Sequence, residues 1–74
     1  MKYNELAFEL EQNTAEDVDY SYKKRQDSYD LLLKNDQPCA RFFDNTLELV
    51  QGTSYDIIDL QNFIEVLKMP RKER

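Results

Sequence analysis

The stretch YDLLLKNDQPCARFFDNTLELVQ, residues 29–51, decides the fold. Within it three apolar-rich runs, Tyr29 to Lys34, Cys39 to Phe43 and Thr46 to Gln51, are separated by Asn35-Asp36-Gln37-Pro38 and by Asp44-Asn45. The runs have strand length, and the breaks are rich in residues that favour turns. Asn and Asp tolerate left-handed backbone, and Pro presets φ while lacking an N–H for a ladder. The stretch therefore reads as a three-stranded antiparallel meander. Gly52, the one glycine of the chain, follows the third run and is expected to end it with φ > 0.

Working outward, residues 55–68 read as a helix. Ile57, Leu60, Ile64 and Leu67 recur at helical spacing and are the expected buried stripe. Thr53 and Asp56 have the spacing of a capping box, and Pro70 stops the helix. At the other end, Tyr3, Leu6, Ala7 and Leu10 form one apolar stripe over residues 2–12, with Glu5, Glu9 and Glu11 away from it. Residues 15–34 fit two patterns. Val18, Tyr20 and Tyr22 alternate with polar residues as in a strand, while Val18, Tyr22, Tyr29 and Leu33 also approach a helical stripe. Strand is favoured, because Tyr and Val suit a half-buried pleated surface. The fold class is α+β: a small antiparallel sheet of three to four strands flanked by an N-terminal and a C-terminal helix. One acidic domain is expected over residues 1–69, followed by a short, frayed basic tail over 70–74.

At 74 residues there is room for one core. A core this small supplies about 3–5 kcal/mol and commonly leans on a disulfide, a metal or a second subunit. Cys39 is the single cysteine and there is no histidine, so no intrachain disulfide and no metal or cofactor site is expected. Self-association remains, and a homodimer is expected. No apolar run approaches the roughly 20 residues of a membrane span, and the first residues lack the pattern of a signal peptide. With a free thiol, the expected compartment is the cytoplasm, that of a bacterial host on the reading below.

Enzyme chemistry is not expected. Without histidine, a Ser or Thr nucleophile lacks its usual base, and one glycine cannot build a phosphate-cradling loop. The positive signal is charge. Residues 1–67 carry fourteen Asp and Glu against six Lys and Arg, whereas Lys68, Arg71, Lys72 and Arg74 crowd the last seven positions. Glu5 and Glu9 are a like-charge pair four residues apart; Glu16, Asp17 and Asp19 cluster, and Asp27 and Asp30 follow. Such a surface fits an ordinary solvated face. It also fits an imitation of duplex DNA, which carries one charge per roughly 1.7 Å of axis, and so a basic DNA-binding partner. Tyr20 and Tyr22 are candidate interface anchors, with sheet packing as the alternative. Lys23-Lys24-Arg25 reads as a solvated hairpin tip. Gln61 through Ile64 and Gln37 through Phe43 miss the spacing of a clamp-binding peptide.

Length, acidic balance, a single cysteine and absent catalytic residues together resemble the small inhibitors that bacteriophages make early in infection. The profile is most similar to phage-encoded inhibitors of the bacterial DNA polymerase sliding clamp, and it spans the whole chain without a diagnostic motif. The resemblance implies an acidic dimer lodged in the basic channel of the clamp as a DNA mimic, blocking replication. It implies no direct contact with nucleic acid or membrane and carries over no functional residue. Two alternatives share the composition: an inhibitor of RNA polymerase, a restriction enzyme or a CRISPR effector, and a small structural or assembly protein.

Overall fold

The computed structural model describes residues 1–13, 18–24 and 27–74. Helix α1 (Tyr3–Gln12) buries Tyr3, Leu6 and Leu10, the expected stripe with Ala7 at its half-buried margin. Among the described residues four strands follow: β1 (Tyr20–Lys24), β2 (Asp30–Lys34), β3 (Gln37–Phe42) and β4 (Leu47–Leu49). They pair antiparallel in the order β1-β2-β3-β4. Helix α2 (Ile57–Leu67) and a short 3-10 helix (Arg71–Glu73) complete the chain. The α+β architecture is therefore as expected, and the strand alternative holds for Tyr20–Lys24. The Val18 part of that pattern lies just outside the strand, and residues 14–17 and 25–26 lie outside the described residues.

The turn at residues 35–38 is tighter than expected. Asn35 and Asp36 alone take positive φ, 51° and 64°, the arrangement of a two-residue hairpin that matches strand twist. Gln37 and Pro38 thus enter β3. Pro38 is tolerated on this inner strand because the register skips between Leu32 and Leu33, and β4 pairs only with Ala40 to Phe42. Aspartate tolerates left-handed backbone less well than glycine. Asp36→Gly is expected to raise stability by about 0.5–1 kcal/mol, read as a higher urea midpoint. Gly52 has φ 90°, as its position after the third run requires.

Both helices lie on one face of the sheet. There Tyr3, Leu6 and Leu10 meet Leu32, Ala40 and Phe42 from the strands and Phe63 and Val66 from α2. The Met1 amino group donates to the Glu65 carbonyl, and Leu10 shares a cavity wall with Tyr55 and Asp59, so the helices run antiparallel. The cap of α2 differs from the expected box. The Thr53 hydroxyl donates back to the Val50 carbonyl at 2.5 Å, and Asp56 alone caps, accepting from the Asp59 N–H at 3.2 Å. The buried stripe is also corrected: Phe63 and Val66 fill the core, Leu60 and Leu67 are half-buried, and Ile57 and Ile64 are exposed. Phe63 wins the centre because its ring packs edge-on against both Phe42, at 5.5 Å between centroids, and Tyr55, at 4.8 Å.

Candidate partner-binding surface

Charge placement begins with the chain's last residues, which are docked rather than frayed. The Arg71 guanidinium donates to Asp30 Oδ1 and to the Tyr29 carbonyl, both at 2.9 Å, and to the Asp27 carbonyl. Arg74 is 5% exposed and donates to the carbonyls of Phe43 and Asp44 at 2.8 Å and of Met69 at 3.0 Å. Its own carbonyl accepts from the Tyr3 N–H at 3.1 Å. Guanidinium suits this task, since its planar array of donors can satisfy several carbonyls left over by turns and helix ends. Residues 70–74 are thus an integral part of the folded unit, which corrects their reading as a tail.

Asp30 is corrected with them. It is 1% exposed and cannot meet a partner. Its carboxylate accepts from the Tyr3 hydroxyl at 2.5 Å and from Arg71, tying α1, β2 and the 3-10 helix together. Burial and the adjoining carboxylate push the Tyr3 phenol well above its ordinary pKa, so it stays a neutral donor. The same bond to Asp30 raises Arg71 further above its already high value.

Tyr20 and Tyr22 serve the core. Tyr22 stacks on Tyr3 with centroids 4.3 Å apart, and its hydroxyl is buried without a hydrogen-bond partner among the described residues. Tyr20 is half-buried against the same cluster, and its N–H donates to Glu11 Oε1 at 3.2 Å. Neither stands out as an exposed anchor. Lys24 sits over the Tyr3 ring at 5.8 Å.

The remaining candidates lie on the surface. Glu5 and Glu9 are exposed on the outer side of α1. Four residues span about 6 Å of helix axis, while each DNA strand carries a phosphate about every 3.4 Å. Asp19 is exposed beside the β2–β3 turn, where its N–H donates to the Asn35 side chain at 3.0 Å and its carbonyl accepts from the Asn35 N–H at 2.8 Å. Asp27 is exposed at the β1–β2 connection. Glu16 and Asp17 lie outside the described residues. Among those described, ion pairs engage Asp30, Glu48 with Arg41, and Glu65 with Lys68. Lys68 holds the Glu65 carboxyl below its usual range. Glu5, Glu9, Asp19 and Asp27 have no such pair among the described residues.

Cys39 is buried, its thiol donating to the Leu32 carbonyl at 3.3 Å, and burial pushes the thiol pKa up, away from the reactive thiolate. Among the described residues no group of His, Cys, Asp or Glu side chains is placed to hold a metal ion, and no helix is long and apolar enough to cross a membrane. Sequence reasoning missed the inward turn of the arginines, because apart from the Met69 carbonyl Arg71 and Arg74 find their acceptors thirty or more residues away. No protein-family model, curated protein or solved structure matches the chain.

Proposed function

We propose that this chain is a phage-type inhibitor that enters the basic DNA channel of a bacterial sliding clamp, as a pair of copies, and mimics DNA there. The observation that supports the reading is the segregation of charge. The C-terminal arginines are spent on internal carbonyls and on Asp30, while Glu5, Glu9, Asp19 and Asp27 face outward without an ion pair among the described residues. The exterior is thereby more acidic than a chain with a free basic tail would present. A ring lined with Lys and Arg would draw such a body in through its field, and inhibition would follow from occupancy alone. No proton transfer or covalent step is needed.

Titration calorimetry against a bacterial sliding clamp, at low and moderate salt, tests this. The expected result is tight binding that weakens steeply with salt and is lost when DNA already threads the ring. Replacing Glu5 and Glu9 together by Lys is expected to weaken binding at least about tenfold, near 1.4 kcal/mol. Both side chains are exposed, so circular dichroism should find the fold unchanged. Absence of binding at both salts, or affinity indifferent to salt, overturns the reading.

A further inference from the structure

Helix α2 carries more apolar surface than the core consumes. Ile57, Leu60, Ile64 and Leu67 repeat with the three-four-three spacing of a coiled-coil seam. The core instead takes Phe63 and Val66, leaving Ile57 72% and Ile64 53% exposed. At about 100° of rotation per residue, Ile57 and Ile64 stand on the flank that runs on from half-buried Leu60 and Leu67. That flank lies toward the open edge of the sheet. Leu67 shares a cavity wall with Asp44 and Asn45 of the β3–β4 turn, whereas Asp59, which by the same rotation falls between Phe63 and Val66, shares one with the end of α1. The edge strand β4 adds Leu49, which pairs with core-facing Ala40 and is 40% exposed. An apolar strip thus runs along one side of the protein, and among the described residues Phe8 and Ile58 are the exposed large hydrophobics outside it.

We infer that this flank of α2 is a self-association surface, on which two copies pair their helices antiparallel about a two-fold axis at the level of Asn62. The residues are placed symmetrically about that position. Leu60 then meets Ile64 of the second copy and Ile57 meets Leu67, so each contact occurs twice, as a closed two-fold interface requires. Charge selects both occupant and direction. Antiparallel pairing brings the acidic start of each helix, Asp56 and Asp59, level with the Lys68 end of the other, while parallel pairing would bring like-charged ends together. Lys68 already pairs with Glu65 at 2.8 Å, but an ammonium has three donors and this one remains largely exposed. A core this small, with one cysteine and so no internal disulfide, gains from covering the strip. The surface gives a geometry to the paired form proposed above but rests on α2 alone.

The test is light scattering of the full chain at tens of micromolar, without clamp. The native chain is expected to have the mass of a dimer, Ile64→Glu that of a monomer, and Ile58→Glu that of a dimer again. Ile58 is 55% exposed but lies off the seam, so it controls for any added charge on the helix. In a mixture of isotope-labelled and unlabelled copies, nuclear Overhauser contacts should connect the Leu60 and Ile64 methyls across chains. A monomeric native chain overturns the inference. So does a dimer that survives Ile64→Glu, or one that Ile58→Glu dissolves equally. If the native chain is monomeric and Ile64→Glu lowers clamp affinity, the strip belongs to another protein and self-association is rejected. A dimer with no clamp affinity supports this surface and rejects only the clamp reading.

Discussion

Asp30→Ala is expected to lower stability by about 3 kcal/mol, a large share of what a domain of this size possesses. The side chain is buried and holds three elements at once: Tyr3 from the first helix, its own strand β2, and Arg71 from the C-terminal 3-10 helix. Removing it deletes hydrogen bonds to a charged acceptor, which contribute more than neutral ones, and strands the Tyr3 hydroxyl in a desolvated site. It also removes the carboxylate partner of Arg71, leaving the C-terminal segment held by carbonyl acceptors alone. The expected observation is a urea midpoint shifted far down and a chain partly unfolded at 37 °C. Tyr3→Phe is the informative comparison: it keeps the ring that stacks on Tyr22 and removes only the hydroxyl, so about 1 kcal/mol is expected. Equal losses for both variants would mean that Asp30 contributes little beyond the Tyr3 bond.

Phe42→Ala is expected to cost about 3–5 kcal/mol, the range for deleting a fully buried aromatic ring. Phe42 is fully buried at the junction of sheet and both helices. Its ring centroid lies 5.8 Å from that of Tyr3, 6.2 Å from that of Tyr22 and 5.5 Å from that of Phe63. No single neighbour can move in to fill the space, because each belongs to a different element, so the cavity term adds to the lost transfer energy. Near-UV circular dichroism should collapse before the far-UV signal as aromatic packing is lost. If the midpoint moved by less than a third of the expected amount, α1 and α2 would have to be able to close over the gap.

Together these variants separate the acidic residues by role. Asp30 belongs among the surface candidates by sequence, since a buried and an exposed aspartate are the same letter. Its role becomes visible only when Arg71, forty-one positions later, is placed beside it. Tyr20 and Tyr22 moved from candidate anchors to core packing for a similar reason. Alternation with Asp19, Ser21 and Lys23 establishes which side of the strand they share, but not that α1 lies over that side. Glu5 and Glu9 kept their place on the surface because the local pattern of α1 already turns them away from its buried stripe.

Local patterns determined the element order α-β-β-β-β-α, the strand pairing implied by short breaks, the stop at Pro70 and the positive φ of Gly52. Each depends on interactions within a few residues, where turn chemistry and periodicity act directly. Tertiary structure decided the rest. It rotated α2 so that Phe63 and Val66, rather than the regular stripe of Ile57, Leu60, Ile64 and Leu67, occupy the core. Two flanks of one helix were both apolar, and only the shape of the cavity beside Phe42 and Tyr55 could choose between them. It also folded the basic segment inward, because the carbonyls of Tyr29, Phe43 and Asp44 become a matched set of acceptors only once the sheet has formed.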